Sequence, residues 1–358
     1  MLSARRAVRE MHEYRPPLAG RTGLRLDFNE NTEGCSPCVL QRIQQITADE
    51  LARYPERAPV EAVVAAQLGL PPELVLLTNG VDEAIHLVCE AYLEPTDEVM
   101  VVTPTFGMYE IFAEATGAKV MRVQCGADLR FPLEKILSGI TPATRLIAIA
   151  SPNNPTGGVA SREQLLAIAA AAPSAAVLAD EAYYEFHGKT VMPDVVRQPN
   201  LFIARTFSKA YGLAGLRIGI LAGPRDQMPM VRRVSSPYSV NAVALAAIPI
   251  ALADAEYVAN YVTQVKAGRE QLEKELTRAG IEWWPSEANF VLFKVGERHH
   301  EFTAAMRQRG ILVRDRSFDP GCDGCVRITV GTAAQMDTLL AALREVLTEL
   351  KLDAEVKA

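Results

Sequence analysis

The chain has 358 residues, 49 % of them apolar and 22 % charged, and its formal net charge is −6. This acidic balance gives no electrostatic reason to expect nucleic acid or an anionic membrane surface as a partner. The longest apolar runs without a charge, 165–179 and 242–253, are shorter than a bilayer span, and each contains a proline. The N-terminal residues lack the apolar stretch of a secretory signal. We therefore expect a cytoplasmic globular protein that binds small molecules.

Short apolar runs alternate with helical patterns between about residues 60 and 250. Runs of this kind, separated by helices, are typical of a mostly parallel sheet that is buried on both faces. We predict an α/β fold in which helices flank a seven-stranded sheet, with strands at 74–77, 98–102, 119–123, 146–150, 176–179, 201–204 and 218–221. Because ligands bind beyond the carboxyl ends of such strands, the polar residues that follow each run are the candidates for a site.

The C-terminal part of the chain has a different order of elements. A helical pattern over 252–279 is followed by strand-like runs at 289–293, 311–313 and 326–330, with a helix near 299–309 and another at the end. This order predicts a small α+β domain. The predicted division is an N-terminal arm over 1–35 that contributes to the small domain, a large domain over 36–251 and the small domain over 252–358.

Six cysteines include two C-x-x-C pairs, Cys35/Cys38 and Cys322/Cys325. Four thiolates can bind zinc, but the two pairs lie at opposite ends of the chain, whereas the pairs of a zinc ribbon lie some tens of residues apart at most. The five histidines show no ligand spacing. We therefore expect reduced, structural thiols and no metal.

An anion site is predicted where the first strand of the large domain meets the following helix. The segment TNGVDEAI at 78–85 contains Gly80, and free backbone N–H groups at a helix N-terminus bind anions. An Asn-Gly pair alone usually marks a turn. Ser208 and Arg217, which follow a later strand, would supply a hydroxyl and a guanidinium to the same phosphate.

Residues at three further strand ends could bind a ligand that has a flat, positively charged aromatic ring. Asp180 would keep a ring nitrogen protonated, because a neighbouring carboxylate favours the cationic form. Asn154, held in a loop between two prolines, and Tyr183 would bind a phenolic oxygen. Phe106 offers a ring for stacking. Each of these residues by itself is better explained as part of a turn or of the core.

Lys209 connects these residues, because it lies at the end of a strand with Ser208 beside it and Arg217 eight residues on. The pattern resembles the Schiff-base lysine of pyridoxal 5′-phosphate enzymes with the aspartate aminotransferase fold. An anion-binding helix, a stacking aromatic, Asn154, Asp180, Lys209 and Arg217 follow one another in this order, each after a predicted strand. The order is more specific than any single residue.

Over essentially its whole length the chain is similar to the fold-type I aminotransferases, and within them it resembles the histidinol-phosphate aminotransferase family. The segments that carry this resemblance are LDFNEN at 26–31, RYP at 53–55, NGVDE at 79–83, FSKAYGLAGLR at 207–217, LVRD at 312–315 and VRITVG at 326–331. The resemblance implies an aspartate aminotransferase-like fold and a homodimer with shared active sites, in which Tyr54 reaches the cofactor phosphate of the other subunit.

The resemblance also implies roles for individual residues. The catalytic residues would be Lys209, Asp180 and Tyr183. The residues expected to bind pyridoxal phosphate are Tyr54, Gly80, Val81, Asp82, Phe106, Asn154, Asp180, Tyr183, Thr206, Ser208, Lys209 and Arg217. The residues expected to bind the substrate are Tyr14, Asn29, Asn154, Arg314 and Arg327.

The implied activity is transamination of L-histidinol phosphate with 2-oxoglutarate, in histidine biosynthesis. Two related activities stay open at this point: an aromatic amino acid aminotransferase would share every cofactor residue, and a threonine-phosphate decarboxylase would use the same scaffold. A transcriptional regulator with an aminotransferase-like domain would need a DNA-binding domain upstream. The aminotransferase pattern begins by about residue 24, so we do not expect one.

Overall fold

The computed structural model describes residues 2–352. The strands of the described residues are β1 (Leu24–Arg25), β2 (Val75–Thr78), β3 (Glu98–Thr103), β4 (Lys119–Gln124), β5 (Thr144–Ala150), β6 (Ala176–Asp180), β7 (Leu201–Thr206), β8 (Gly219–Ala222), β9 (Glu282–Trp284), β10 (Phe290–Lys294), β11 (Ile311–Leu312), β12 (Arg314–Asp315) and β13 (Cys325–Thr329). The α-helices are α1 (Arg6–Glu10), α2 (Pro37–Gln44), α3 (Ala48–Ala52), α4 (Ala58–Leu68), α5 (Gly80–Tyr92), α6 (Met108–Thr116), α7 (Leu133–Gly139), α8 (Arg162–Ala171), α9 (Tyr184–His187), α10 (Met228–Val234), α11 (Ala242–Ala253), α12 (Ala255–Arg278), α13 (His299–Gln308) and α14 (Ala333–Glu349).

Seven strands form the central sheet, in the order β2-β8-β7-β6-β5-β3-β4. Neighbouring strands are parallel except where β8 joins β2 and β7. Each predicted strand of the large domain overlaps an observed one, so the predicted seven-stranded, mostly parallel sheet is confirmed. One hydrophobic core lies between the sheet and α4, α8 and α11, and another lies against α5, α6 and α10. Both faces are therefore buried, as the apolar runs predict.

The second sheet has four antiparallel strands in the order β12-β13-β10-β9, and it packs with α12, α13 and α14 around a core of its own. The strand β9 was not predicted. The N-terminal segment joins this region because β1 pairs with β11 in parallel. The arm also contacts α6, which packs on the central sheet, since the guanidinium of Arg5 donates to the carbonyl of Ala115 at 2.8 Å. The predicted domain boundaries stay a prediction.

Within residues 2–352, no single helix is both long and apolar enough to span a membrane. Taken together, the helices α11 and α12 have the length and composition of a membrane span, but they bend by 77° at their junction.

Candidate active site

A cavity of about 1080 Å³ lies where five strands of the central sheet end. The loops after β2, β3, β5, β6 and β7 form one wall, because the carboxyl ends of parallel strands meet at one edge of a sheet. The N-terminal arm and the β12–β13 region form the opposite wall. The predicted site residues that line the cavity are Tyr14, Asn29, Val81, Asp82, Phe106, Asn154, Asp180, Tyr183, Thr206, Ser208, Lys209, Arg217, Arg314 and Arg327.

Lys209 follows β7 and points its amine at the N-terminal arm. The Nζ atom donates a hydrogen bond to the backbone carbonyl of Phe28 at 3.1 Å, and it lies 5.9 Å from the centre of the Tyr183 ring. Burial, with the positive charges of Arg327 and Arg217 adding to it, lowers the pKa of Lys209 to about 8. A neutral amine is the form that attacks a carbonyl, so the lowered pKa increases the fraction of this lysine that can react near pH 8.

Asp180 is the last residue of β6, and its carboxylate is buried. It accepts hydrogen bonds from the hydroxyl of Tyr109 and, at 2.9 Å, from the backbone N–H of Ala182. Burial raises the pKa of Asp180 to about 6, and the two hydrogen bonds oppose this rise. A carboxylate held by two donors keeps one orientation, in which it can pair with a cationic group of a ligand.

The N-terminus of α5 forms an anion cradle. The helix begins at Gly80, and the side chain of Asn79 does not cap it, so the first backbone N–H groups can bind a ligand. Gly80 has a φ of +74°, and a Cβ added there would lie 2.7 Å from the guanidinium of Arg217. Arg217 is paired with Asp82 at 2.9 Å and is half-exposed. Glycine adopts this φ without strain, and it lets the Arg217 guanidinium lie close to the helix N-terminus.

Thr206 and Ser208 lie next to Lys209 at the end of β7. The hydroxyl of Thr206 donates to Ser208 Oγ at 2.9 Å, and the backbone N–H of Ser208 donates to Thr206 Oγ1 at 3.1 Å. These bonds hold the turn that carries Lys209. They also orient the Ser208 hydroxyl, whose own hydrogen is left for another acceptor.

Residues of the N-terminal segment and of β13 hold two side chains that follow strands of the central sheet. The guanidinium of Arg327 donates to Asn154 Oδ1 and, at 2.7 Å, to the backbone carbonyl of Asp27. The side-chain amide of Asn29 donates to Tyr183 Oη at 2.9 Å. The two predicted ligands of a phenolic oxygen, Asn154 and Tyr183, are thus fixed from the opposite wall of the cavity.

Two predicted substrate residues lie side by side on neighbouring strands. Arg314 of β12 is directly opposite Arg327 of β13. Burial lowers the pKa of Arg327 to about 9 and also lowers the pKa of Arg314. The Nε atom of Arg327 is buried without a hydrogen-bond partner among the described residues. Two guanidinium groups in this arrangement favour a ligand with an acidic group.

Two predicted residues do not line the cavity of their own chain: Gly80, which lies directly before the lining residue Val81, and Tyr54. Its side chain is 79 % exposed, and its ring centre lies 4.5 Å from that of Tyr238, which is also exposed. Neither ring lines the cavity.

Several charged or polar side chains that line the cavity were not predicted from the sequence, among them Tyr109, Arg316 and Asp319. Arg21, which pairs with the cavity residue Asp27, was not predicted either. Tyr109 lies three residues after Phe106, and that spacing on a helical turn was a usable signal. Arg21 forms a two-pronged ion pair with Asp27, with Nη2 and Asp27 Oδ1 2.7 Å apart. Nothing in the local sequence of Arg21 indicates this partner, and nothing near Arg316 in the sequence indicates that it lines the cavity.

The cysteines and histidines, which the sequence offers as possible metal ligands, do not line the cavity around Lys209. All six cysteines are free, with Cys322 and Cys325 buried. Among residues 2–352, one group of possible metal ligands comes together, and it contains His299, His300 and Asp315. The two Nδ1 atoms lie 2.9 and 3.1 Å from Asp315 Oδ2. The spacing of the two histidines in the sequence does not indicate this group, because Asp315 comes from a different element.

With this geometry established, comparison with known proteins identifies the family. Residues 21–343 match the class I and II aminotransferases, and the chain belongs to that family. A histidinol-phosphate aminotransferase from Dehalococcoides mccartyi is 36 % identical over 325 residues, which cover 90 % of this chain and 90 % of the relative. One from Moorella thermoacetica is 32 % identical over 345 residues, which cover 94 % and 89 %. Within its class, the chain is therefore a member of the histidinol-phosphate aminotransferase family.

A solved structure agrees with this assignment. The crystal structure of histidinol-phosphate aminotransferase from Sinorhizobium meliloti in complex with pyridoxal-5′-phosphate has a TM-score of 0.87 and 26 % sequence identity. The match covers 96 % of this chain and 97 % of the other. The predicted aspartate aminotransferase-like fold is confirmed by this likeness and by that of the Thermus thermophilus aspartate aminotransferase, at a TM-score of 0.82.

The residues in the cavity fit pyridoxal 5′-phosphate. The cradle at Gly80, which a Cβ would fill, matches the phosphate. The buried carboxylate of Asp180 matches the ring nitrogen, and the amine of Lys209 matches the aldehyde. Phe106, which also lines the cavity, offers a face for the ring.

Proposed function

We propose that this chain is a pyridoxal 5′-phosphate-dependent aminotransferase that transfers the amino group of L-histidinol phosphate to 2-oxoglutarate in histidine biosynthesis. The observation that carries the proposal is one cavity in which a reactive lysine, a buried carboxylate and an anion cradle face a wall of arginines. Relatives that share a third of the sequence over nine tenths of the chain are histidinol-phosphate aminotransferases, which supports the substrate.

When bound, the cofactor supplies the electron sink that allows the C–H bond at the substrate α-carbon to break. The neutral amine of Lys209 takes this proton as general base and later returns it as general acid. Asp180 stays ionised and favours a protonated ring nitrogen, with Tyr109 and the N–H of Ala182 holding it in place. Asn154 and Tyr183 orient the ring through its phenolic oxygen.

The acidic groups of the substrates are bound by the arginines of the small domain. Arg327 lies within hydrogen-bond distance of Asn154 and so binds the acidic group nearest the reacting carbon. Arg314, across the strand pair, clamps the phosphate together with it. Tyr14 of the arm also lines the cavity, and its half-exposed ring is available to the substrate.

The proposed active form is a cytoplasmic homodimer with shared active sites. Two exposed aromatic rings that contact each other support it, since large apolar groups left in solvent often mark an interface. They are Tyr54 and Tyr238, whose ring centres lie 4.5 Å apart and whose side chains are both more than half-exposed. In the dimer Tyr54 reaches the cofactor phosphate of the other subunit.

A panel of half-reactions tests the substrate. The purified holoenzyme is mixed separately with histidinol phosphate, glutamate, phenylalanine, tyrosine and threonine phosphate, and the visible band of the lysine-bound cofactor is followed. We expect histidinol phosphate and glutamate to remove the band fastest. A fast reaction with phenylalanine and none with histidinol phosphate would make the chain an aromatic aminotransferase. Release of carbon dioxide from threonine phosphate would indicate the decarboxylase.

The same assay tests the catalytic residues. Lys209→Ala should lose the visible band and nearly all turnover, and Asp180→Asn should lower the rate by orders of magnitude. Undiminished turnover in Lys209→Ala would contradict the assignment of the lysine, whatever the substrate.

A further inference from the structure

An ion pair between Arg316 and Asp319 lies in the substrate wall of the cavity. Both residues line the cavity, and their guanidinium and carboxylate groups are in contact, with each side chain 11 % exposed. The backbone N–H of Asp319 donates to the carbonyl of Arg316 at 2.9 Å, which closes the turn that carries them. Desolvation offsets most of the attraction within a buried ion pair, so stability alone is a weak explanation for this one.

The backbone places Arg316 beside the two arginines already assigned to the substrate. Arg314 lies opposite Arg327, and the N–H of Arg316, two residues further on, donates to the carbonyl of Cys325 at 2.9 Å. Because side chains alternate along a strand, Arg314 and Arg316 lie on one face, together with Arg327. Like charges at this spacing repel one another. Three such groups favour a ligand that brings more than one acceptor.

Arg316 also retains an unused donor. Its Nη2 contacts Asp319, but its Nε has no hydrogen-bond partner among the described residues, and the residue is only 9 % exposed. A guanidinium presents five N–H groups in a fixed fork, so Asp319 can occupy one edge while Nε serves a ligand. A buried donor without a partner is costly, and a ligand that reaches it gains that free energy.

The proposed reaction needs one subsite that accepts two unlike side chains in turn. Histidinol phosphate carries an imidazole, which offers an N–H donor. Glutamate and 2-oxoglutarate carry a distal carboxylate, which only accepts. We propose that the Arg316–Asp319 pair is this subsite: Asp319 accepts from the imidazole in one half-reaction, and Arg316 donates to the distal carboxylate in the other. The inference rests on the proposed function and extends it to the side-chain end of both substrates.

Phe318 supplies the apolar part of this subsite. It lies between the two charged residues in sequence and lines the cavity, yet its side chain is 68 % exposed. The Cζ atom of Arg316 lies 5.1 Å from its ring centre. A flat imidazole can stack on the ring, while the methylene groups of glutamate need only its apolar surface.

Two variants separate the roles of the pair. Asp319→Asn keeps the shape and removes the negative charge, whereas Arg316→Lys keeps a cation beside Asp319 but lacks the fork that serves two acceptors. We measure the second-order rate constant of each half-reaction with the holoenzyme. Asp319→Asn should lower the constant for histidinol phosphate by about 10- to 100-fold and that for glutamate by less than about 3-fold, and Arg316→Lys should show the opposite preference.

Matched controls and the thermal midpoint complete the experiment. Asp323→Asn, at an exposed position of the same loop, and Arg225→Lys, in an exposed pair with Glu73, should change neither constant. Equal losses in both half-reactions, or no loss in either, would overturn the subsite, and a parallel fall in Tm would identify it as a structural pair. If the unmodified enzyme does not react with histidinol phosphate, the proposed function fails and the inference fails with it.

Discussion

Tyr109 donates a hydrogen bond to the carboxylate of Asp180 from a side chain that is itself buried between α6 and the central sheet. Within residues 2–352 the Tyr109 hydroxyl has Asp180 as its hydrogen-bond partner, so we expect it to keep Asp180 charged and oriented. A hydrogen bond to a charged group contributes about 1.5–3 kcal/mol, and each pKa unit corresponds to about 1.4 kcal/mol.

Tyr109→Phe should therefore move the pH dependence of cofactor binding. The Tyr109 hydroxyl favours the ionised form of Asp180, and its loss raises the pKa of that carboxyl further above about 6. Since the protonated carboxyl cannot pair with a cationic ring nitrogen, we expect the acid limb of cofactor affinity to shift upward by about 1 pH unit. Fluorescence titration of the apoprotein with pyridoxal phosphate between pH 5 and 8 measures it. The control is Tyr92→Phe, which removes a hydroxyl that contacts Gln227. If the acid limb of cofactor affinity does not shift in Tyr109→Phe, the hydrogen bond to Asp180 serves only the packing of α6.

The strands and the site differ in how far sequence alone predicts them. Apart from the edge strand β4, the strands β2 to β8 are mostly apolar runs with both faces buried, so composition indicates them. Their carboxyl ends identify Asp180 and Lys209 by position. Neither Tyr109 nor Arg316 can be found this way. The partner of Tyr109 lies 71 residues away in sequence, and the role of Arg316 depends on which face of β12 meets the cavity. The strand β9 escaped prediction because Glu282–Trp284 is too short to show an alternating pattern.

Replacing Lys209 should stabilise the apoprotein, because burying this charged side chain serves the reaction and destabilises the fold. The pKa of Lys209 is lowered to about 8 in the folded state. Between that pH and the value of the unfolded chain, about 10.4, the unfolded state binds more protons, so this group's contribution to stability increases with pH. Below pH 8 the lysine is charged in both states, and its burial penalty is fully present.

Lys209→Met should accordingly raise the free energy of unfolding by about 2 kcal/mol at pH 7, and the gain should shrink by pH 9.5. Urea unfolding of the apoproteins at the two pH values measures the difference. Lys294→Met, at an exposed position on β10, serves as the control. A gain of the same size at both pH values would trace the effect to packing rather than to the charge.

Gly80→Ala should weaken cofactor binding by about 10-fold or more. Alanine at a φ of +74° is strained, and its Cβ would press against Arg217 at 2.7 Å. The phosphate would then lose either the guanidinium or the backbone N–H groups of α5. The dissociation constant of pyridoxal phosphate reports the loss, and Gly215→Ala is the matched control, because a Cβ there meets nothing within 4 Å. If the two variants bind pyridoxal phosphate with equal affinity, its phosphate does not bind at Gly80.

Arg21→Met should destabilise the protein by about 3 kcal/mol. Arg21 is 9 % exposed and pairs with the buried carboxylate of Asp27 and with Glu30, so its removal leaves an unpaired charge inside the arm. The double variant Arg21→Met/Asp27→Asn should recover much of this loss. The same segment carries Phe28, whose carbonyl accepts a hydrogen bond from Lys209. The turnover rate of the single variant should therefore fall together with its stability. A single variant as stable as the parent in urea would refute the pairing.

Tyr54 and Lys209 are expected to act in the same active site from different subunits, and mixing two inactive variants tests this. Tyr54→Ala removes a phosphate contact from the partner's site, and Lys209→Ala removes the amine from its own. In a hybrid dimer one site contains both substitutions, whereas the other combines an intact Lys209 with an intact Tyr54. Co-refolding the two variants in equal amounts gives about half hybrid dimers if pairing is random, so about one quarter of all sites should recover parental activity. Turnover of the mixture, compared with the two variants refolded separately, measures this recovery. If Tyr54 serves the cavity of its own chain, the hybrid contains no intact site and the mixture stays inactive.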